Sequence, residues 1–153
     1  MIEALILILF VCFFGLMCIS EDKRYHGKQE KIQSTYVECS KVDVRESEFG
    51  LGCFANRNLT KGEVIETGVM IPLPGVDGDN QPHLHTWSDD RKLFACGSGS
   101  LPFYNHSEEP NVIKIGDLSA DRMRVIALRD IAKGEELRSR YMSKAWRGCF
   151  KNF

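Results

Sequence analysis

At 153 residues, with 43% hydrophobic and 27% charged positions, the chain has room for one domain of ordinary size and has neither a disordered nor a fibrous composition. Its formal net charge of -1 gives no global pull toward DNA or RNA, so nucleic acid is not expected as the main partner. The six cysteines are widely spaced and form no C-x-x-C pair, which argues for free thiols and against a disulfide framework or a zinc site.

From Ala4 to Ile19 the chain carries no charge and is rich in Leu, Ile, Phe, Val and Cys. The run falls at or just below the length that spans a bilayer, about 17–25 residues. A short anchor, a signal peptide and a buried apolar helix therefore all stay open. Only Glu3 precedes the run, whereas Lys23, Arg24, Lys28 and Lys31 follow it. Basic residues collect on the cytosolic side of membrane spans. This favours a single-pass anchor over residues 1–20, touching the membrane through 4–19, with the rest of the chain in the cytosol; a soluble cytoplasmic or nuclear protein is the alternative. Residues 21–33 are charged without apolar periodicity, as in a solvated linker.

The domain is expected to begin near Ser34. Tyr36 to Cys39 and Val42 to Arg45 alternate like half-buried strands, Glu46 to Gly52 breaks with two glycines, and Cys53 to Ala55 resumes extended chain. Arg57 to Glu63 is turn chemistry that leads into an apolar strand over Val64 to Leu73. Pro74 to Pro82 is a Gly/Pro/Asp loop, and Trp87 to Cys96 suits a short helical turn or strand with one apolar edge. Val112 to Ile115 and Met123 to Leu128 read as a hairpin around residues 116–121. Strands dominate, and the expected fold class is mainly β with an N-terminal apolar helix.

The segment from Gly97 to Asn111 stands apart. Two glycines and two prolines force irregular backbone beside a Tyr104-Asn105-His106-Ser107 cluster, which suits a ligand loop better than a core. One pattern also occurs twice: Arg57-Asn58-Leu59-Thr60-Lys61-Gly62-Glu63 and Arg129-Asp130-Ile131-Ala132-Lys133-Gly134-Glu135, both R-x-[LI]-x-K-G-E. Two copies make no solenoid, so they read as two similar hairpin-like connections.

The order of these motifs resembles the SET domain, the fold of many protein-lysine methyltransferases, over about Tyr36 to Tyr141. Gly50-Leu51-Gly52 resembles the family's G-x-G segment, Asn105-His106-Ser107 with Pro110-Asn111 its N-H-S-x-x-P-N signature, and Gly134-Glu135-Glu136-Leu137 followed by Tyr141 its G-E-E-L-x-x-x-Y ending. The resemblance implies several short curved sheets with a knot-like crossing near the active site, in a SET domain over residues 34–142. It implies methyl transfer from S-adenosylmethionine to a lysine ε-amine in a protein, histone or non-histone. Gly50, Leu51, Gly52, Tyr104, Asn105 and His106 would hold that cofactor, and Tyr141 would be the catalytic residue. His106 then serves as a holding residue and not as a general base. Phe103, Ser139, Trp146 and Phe150 would line the lysine channel.

Enclosure and a nearby sulfonium both lower the pKa of a lysine amine, so the reaction needs an orienting hydroxyl more than a strong base. Two departures from the family pattern matter. Ser139 stands where an aromatic residue is common, and no cysteine-rich zinc segment follows. The aromatic tail of residues 143–153, with Trp146, Phe150 and Phe153, is expected to pack over the site, and no metal is expected. His83-Leu84-His85 lacks a partner at ligand spacing, and the loop from Asp77 lacks the closing glutamate of a calcium loop. A SET-like protein-binding module without catalysis is the alternative function.

Overall fold

The computed structural model describes residues 37–151, and alternation of side chains along short extended runs produces seven strands among these described residues. Strands β1 (Val42–Ser47) and β2 (Gly50–Ala55) form an antiparallel hairpin. The other five, β3 (Val64–Leu73), β4 (Leu84–Thr86), β5 (Phe94–Gly97), β6 (Val112–Asp117) and β7 (Arg122–Ala127), form an antiparallel sheet in the order β4-β5-β3-β7-β6. Two short 3-10 turns, Leu101–Phe103 and Gly148–Phe150, are the helical elements of the described residues. Cys53, Leu59, Ile65, Met70, Leu101 and Leu137 belong to one buried cluster that joins both sheets.

The mainly β expectation holds, with local corrections. The Glu46 to Gly52 break is a tight hairpin turn, because strand pairing runs to Ser47↔Gly50. Tyr36 to Cys39 reduces in the described residues to one bridge, Glu38↔Thr67. The Trp87 to Cys96 stretch is neither a helix nor one strand: Asp90 caps a turn, and β5 starts only at Phe94. The apolar helix and anchor of residues 1–20, the linker of residues 21–33 and Phe153 lie outside the described residues. Among the described residues no helix is long and apolar enough to cross a membrane. Cys39, Cys53, Cys96 and Cys149 are free thiols.

Strand β3 pairs irregularly near its start. Its register against β7 shifts between Val64 and Glu66, as in a β-bulge, and the consecutive residues Ile65 and Glu66 are both fully buried. Bulges re-aim side chains in this way. A carboxylate thereby enters the interior in phase with Gly68 and Met70.

The two copies of the repeated turn pair with each other. Leu59 N donates to Ile131 O at 2.9 Å and Ile131 N to Leu59 O at 3.0 Å. Lys61 N donates to Asp130 Oδ1 at 2.8 Å, and Lys133 N to Asn58 Oδ1 at 2.9 Å. Each copy closes with its own ion pair, Arg57 with Glu63 and Arg129 with Glu135, and turns on a glycine of positive φ, Gly62 at 81° and Gly134 at 87°. The contact is self-complementary, as in a two-fold interface built from one motif used twice. Asn58→Ala and Asp130→Ala should each lower stability by about 1–2 kcal/mol. In urea unfolding the double variant should lose less than the sum, since both bonds hold one contact; strict additivity would mean that the turns act independently.

Candidate active site

Glu66 holds the loop that follows β5. Its carboxylate accepts from Ser100 N at 2.8 Å, Ser100 Oγ at 2.5 Å and the Tyr104 hydroxyl at 2.7 Å. Burial pushes its carboxyl pKa up while these donors pull it down. Gly99 is required twice over: its φ is +63°, and a Cβ there would stand 2.6 Å from Glu66 Oε1. Leu101 fills the space above Gly68 and Gly97, where added Cβ atoms would meet it at 2.6 and 2.7 Å. Tyr104 is fully buried, with its phenol pushed up by desolvation and by Glu66.

Beyond Tyr104, three stretches of chain lie side by side. Residues 135–141 bond β2 on one flank, with Leu137 N to Cys53 O at 2.7 Å and Ala55 N to Glu135 O at 2.9 Å. On the other flank Ser139 N donates to Asn105 O at 2.9 Å and Ser107 N to Ser139 O at 3.0 Å. Asn111 completes this flank: its amide nitrogen reaches Glu136 O and Glu135 Oε1, and its amide oxygen accepts Arg138 N at 2.8 Å. The Asn105 amide ties the three together, donating toward Ser47 Oγ, Leu51 O and Glu136 Oε1 at 3.0, 3.3 and 2.8 Å. The knot-like crossing was expected here, and the hydrogen bonds place residues 135–141 between β2 and residues 105–111.

Tyr141 ends this central stretch. Its backbone N–H donates to His106 Nδ1 at 3.0 Å, so the His106 proton resides on Nε2, which faces Glu108 Oε1 at 3.0 Å. The Tyr141 hydroxyl donates to Tyr104 O at 2.8 Å. Its ring packs on His106 and Phe150, with centroids 5.3 and 4.9 Å away. Desolvation pushes the phenol up to about 12, so it stays protonated at neutral pH.

Tyr141 lines two cavities. One, of about 610 Å³, has His106, Lys144 and Lys151 in its wall. The other, of about 710 Å³, is bounded by β4, β6, Phe150 and Arg147. Lys114 reaches into the second from β6, its amine 5.5 Å from the Tyr141 ring centroid, 5.8 Å from that of Tyr104 and 3.2 Å from His85 Nε2. Burial pushes the Lys114 ammonium down to about 8 and lowers His85 well below the ordinary histidine range. Lys114, Arg140 and Arg147 line this cavity, and no carboxylate of the described residues does.

The residues expected to hold a cofactor are distributed unevenly. Gly50 opens onto space, with nothing within 4 Å of an added Cβ, at φ +93°. Gly52 is closed in: a Cβ there would stand 2.6 Å from Glu136 Oε1 and 3.0 Å from Asn105 Nδ2. Leu51 is exposed and offers its carbonyl to Asn105. Of the residues expected along the lysine channel, Phe150 lines the larger cavity. Phe103 packs beside His83, Trp146 lies under Arg91, and Ser139 is buried with its hydroxyl unpartnered. His83 Nδ1 lies 3.2 Å from Pro102 O, so the two histidines of His83-Leu84-His85 serve different contacts. No group of three His, Cys, Asp or Glu among the described residues could hold a metal.

Sequence reasoning missed Glu66, Lys114 and Arg147, and weighed His85 only as a metal ligand. None of these carried a usable signal: on β6 the alternation of Ile113 and Ile115 points Lys114 outward, whereas in the folded strand Val112 and Lys114 are the inward pair.

The SET domain family model matches residues 50–142. Among solved structures, a Plasmodium falciparum chain described as a candidate histone methyltransferase shares 24% identity at a TM-score of 0.54, over 67% of this chain and 97% of that one. A chain from a structure of ctPRC2 shares 20% identity at a TM-score of 0.56, over 70% of this chain and 15% of its own length. Comparison with curated proteins returns no match.

Two outcomes are expected from this geometry. Gly52→Ala should cost about 1–3 kcal/mol through the clash with Glu136, and Glu136→Ala in the same chain should recover part of it in urea unfolding; no loss would mean that this contact is not tight. Lys114 titrates near 8 when folded against 10.5 in its unperturbed state, so between those values the unfolded chain holds the extra proton and stability rises with pH. Melting temperatures from pH 8 to 10.5 should show that rise, and Lys114→Met should remove it.

Proposed function

The chain belongs to the SET domain family, and on that premise we propose that it transfers a methyl group from S-adenosylmethionine to the ε-amine of a lysine in a protein, histone or non-histone. The observation that carries this reading is Tyr141, which bonds Tyr104 O through its hydroxyl and stands, with Arg140, Met142 and Phe150, in the wall that the two cavities share. A donor on one side and an acceptor on the other is what a transfer between two bound molecules requires.

The chain's residues fit the donor. The smaller cavity carries Lys151, a cation suited to a carboxylate of amino-acid type, beside Lys144, which pairs with Glu108 of the same wall at 3.1 Å. The open backbone at Gly50 lies in a stretch expected to hold the rest. Gly50, Leu51, Gly52, Tyr104, Asn105 and His106 would form that site. When bound, the donor supplies an electrophilic methyl group on a sulfonium.

On the acceptor side the chain must present an uncharged amine. Lysine has an unperturbed pKa of about 10.4. Enclosure and like charge both lower it, and the larger cavity offers both, with three cations and no carboxylate of the described residues in its lining. Tyr141 cannot serve as the base, because its phenol is pushed up to about 12 and its proton is committed to Tyr104 O. It orients the amine through its free lone pair. His106 is bonded to the Tyr141 backbone, so its role is to fix the position of Tyr141.

A second reading, a SET-like protein-binding module without transfer, is favoured by one observation: the larger cavity already contains an amine, that of Lys114. As to location, we propose an anchor over residues 4–19 with the domain on the cytosolic side. A reporter fused to residues 1–33 should be retained by membranes with the reporter cytosolic; a soluble or secreted reporter would overturn this.

Incubated with labelled S-adenosylmethionine and mixed proteins, the full chain should transfer label, and Tyr141→Phe should lower the rate by about 10²–10³, the loss typical of one aligned hydroxyl. Donor binding without transfer would support the binding module. Transfer should increase from pH 7 to 9.5 as the acceptor loses its proton, with no fall from Tyr141 ionisation in that range.

A further inference from the structure

The larger cavity already encloses an amine of the chain itself. Lys114 projects from β6 on the face that it shares with Val112, and the unshifted pairing of β6 with β7 fixes the point from which it projects. It is half-buried and lines the cavity, with Nζ 5.5 and 5.8 Å from the ring centroids of Tyr141 and Tyr104 and 3.2 Å from His85 Nε2. Of the other nitrogen-bearing side chains in this lining, Arg140 and Arg147 keep their protons. His85 has Nε2 engaged by Lys114 and Nδ1 buried. Lys114 is therefore the candidate nucleophile. The titratable groups that face it are His85 of β4, Cys53 of β2, Glu66 of β3, Tyr104 and Tyr141. Desolvation outweighs Cys53 and Glu66 and pushes the ammonium down to about 8, so part of the amine is uncharged at neutral pH. An uncharged amine that donates to His85 still has its lone pair free, and that lone pair is what a methyl transfer consumes.

We propose that Lys114 is itself a methyl acceptor, modified in cis within the cavity that receives protein lysines. The proposal rests on the methyl-transfer reading above and adds to it a modification site on this chain. Arg140, Tyr141, Met142 and Phe150 stand in the wall common to both cavities, so a donor bound in the smaller one adjoins the cavity that holds the amine. Lys114 first releases one proton to water; His85 does not take it, because burial holds that ring well below the ordinary histidine range. The Nζ lone pair then bonds the sulfonium methyl carbon, the carbon–sulfur bond breaks, and its electron pair stays on sulfur as a neutral thioether. The product is a monomethylated ammonium. The rings of Tyr104 and Tyr141 lie within cation–π range of it and suit an alkylated cation. Because the amine lies inside its own chain's cavity, one molecule does not present it to another.

The full chain would be incubated with labelled S-adenosylmethionine, alone and with mixed proteins added, then digested and mapped by peptide mass spectrometry. The chain as purified is mapped first, since a methyl group already on Lys114 counts as the same result. The expected outcome is label on Lys114, to an extent per chain that does not change on dilution. Self-transfer should increase with pH through about 8 and level off above it, following the Lys114 ammonium. A tagged Tyr141→Phe chain mixed with the native chain should stay unlabelled at Lys114. Lys114→Met should lose the label and transfer at least twofold faster to the added proteins, because its own amine no longer occupies the cavity. The map of the native chain needs no variant, so it decides the matter even where Lys114→Met folds poorly. Label on the added proteins with Lys114 unmodified overturns this inference and leaves the methyl-transfer reading standing. Label confined to other lysines of the chain overturns it as well, and so does label on Lys114 of the tagged chain, which would mean transfer between molecules. No label on the chain or on any added protein overturns both.

Discussion

The pairing of Leu59 with Ile131 is the constraint on which the remaining geometry depends. Both residues are 2% exposed, and their backbones exchange hydrogen bonds in both directions. A turn alone fixes only its own few residues. Two copies locked face to face bring distant chain segments into one register, as the bonds Lys61 to Asp130 and Lys133 to Asn58, 69 and 75 positions apart, do here. Residues 135–141 leave the second turn already aligned with β2, since Gly134 N and Glu135 O bond Ala55 on either side. They need no regular strand of their own to reach Tyr141, and the entropy of closing so long a loop is met once, at the turns.

From there the site is fixed through Tyr104, which is held at both ends. Its hydroxyl donates to Glu66, and its carbonyl accepts from Tyr141. Glu66 reaches that position because the irregularity in β3 turns two consecutive side chains inward. A carboxylate suits the task better than an amide would. It accepts from Ser100 N, Ser100 Oγ and Tyr104 at once and contributes no donor that would itself need a partner. Bonds of this kind to an ionised acceptor are stronger than neutral ones, which offsets the cost of burying the charge.

Much of this was legible in the sequence where the chemistry is local. The alternation of β3 and of the β6–β7 hairpin, the glycine-turned R-x-[LI]-x-K-G-E segments and the irregular loop from Gly97 each carry their own signal. The mutual pairing of the repeated turns was not legible, because a motif states its own shape and not its partner's location. Glu66 was invisible for a related reason. In an apolar strand one acidic residue reads as solvent-facing, and only a register shift set by β7 buries it. Gly52 read as open backbone for a ligand, whereas in the folded chain its missing Cβ first makes room for Glu136 and Asn105.

Strand β6 shows how such a conflict points to function. Its two isoleucines, Ile113 and Ile115, are 43% and 40% exposed, while Val112 and Lys114 face inward. Period-two patterning would place the isoleucines inside and the lysine out. A one-residue slip would do so at once, yet Val112↔Ala127 through Asp117↔Arg122 pair without a shift. Asn111 fixes that register, because its side chain bonds Glu136 and Arg138 while its own backbone pairs with Arg138 and Leu128. The strand thus exposes two isoleucines and encloses an amine to satisfy contacts made at its first residue and in its cavity. Chains break local rules of this kind where a site requires it, and the enclosed amine beside Tyr141 is the group that any bound partner in the larger cavity must meet first.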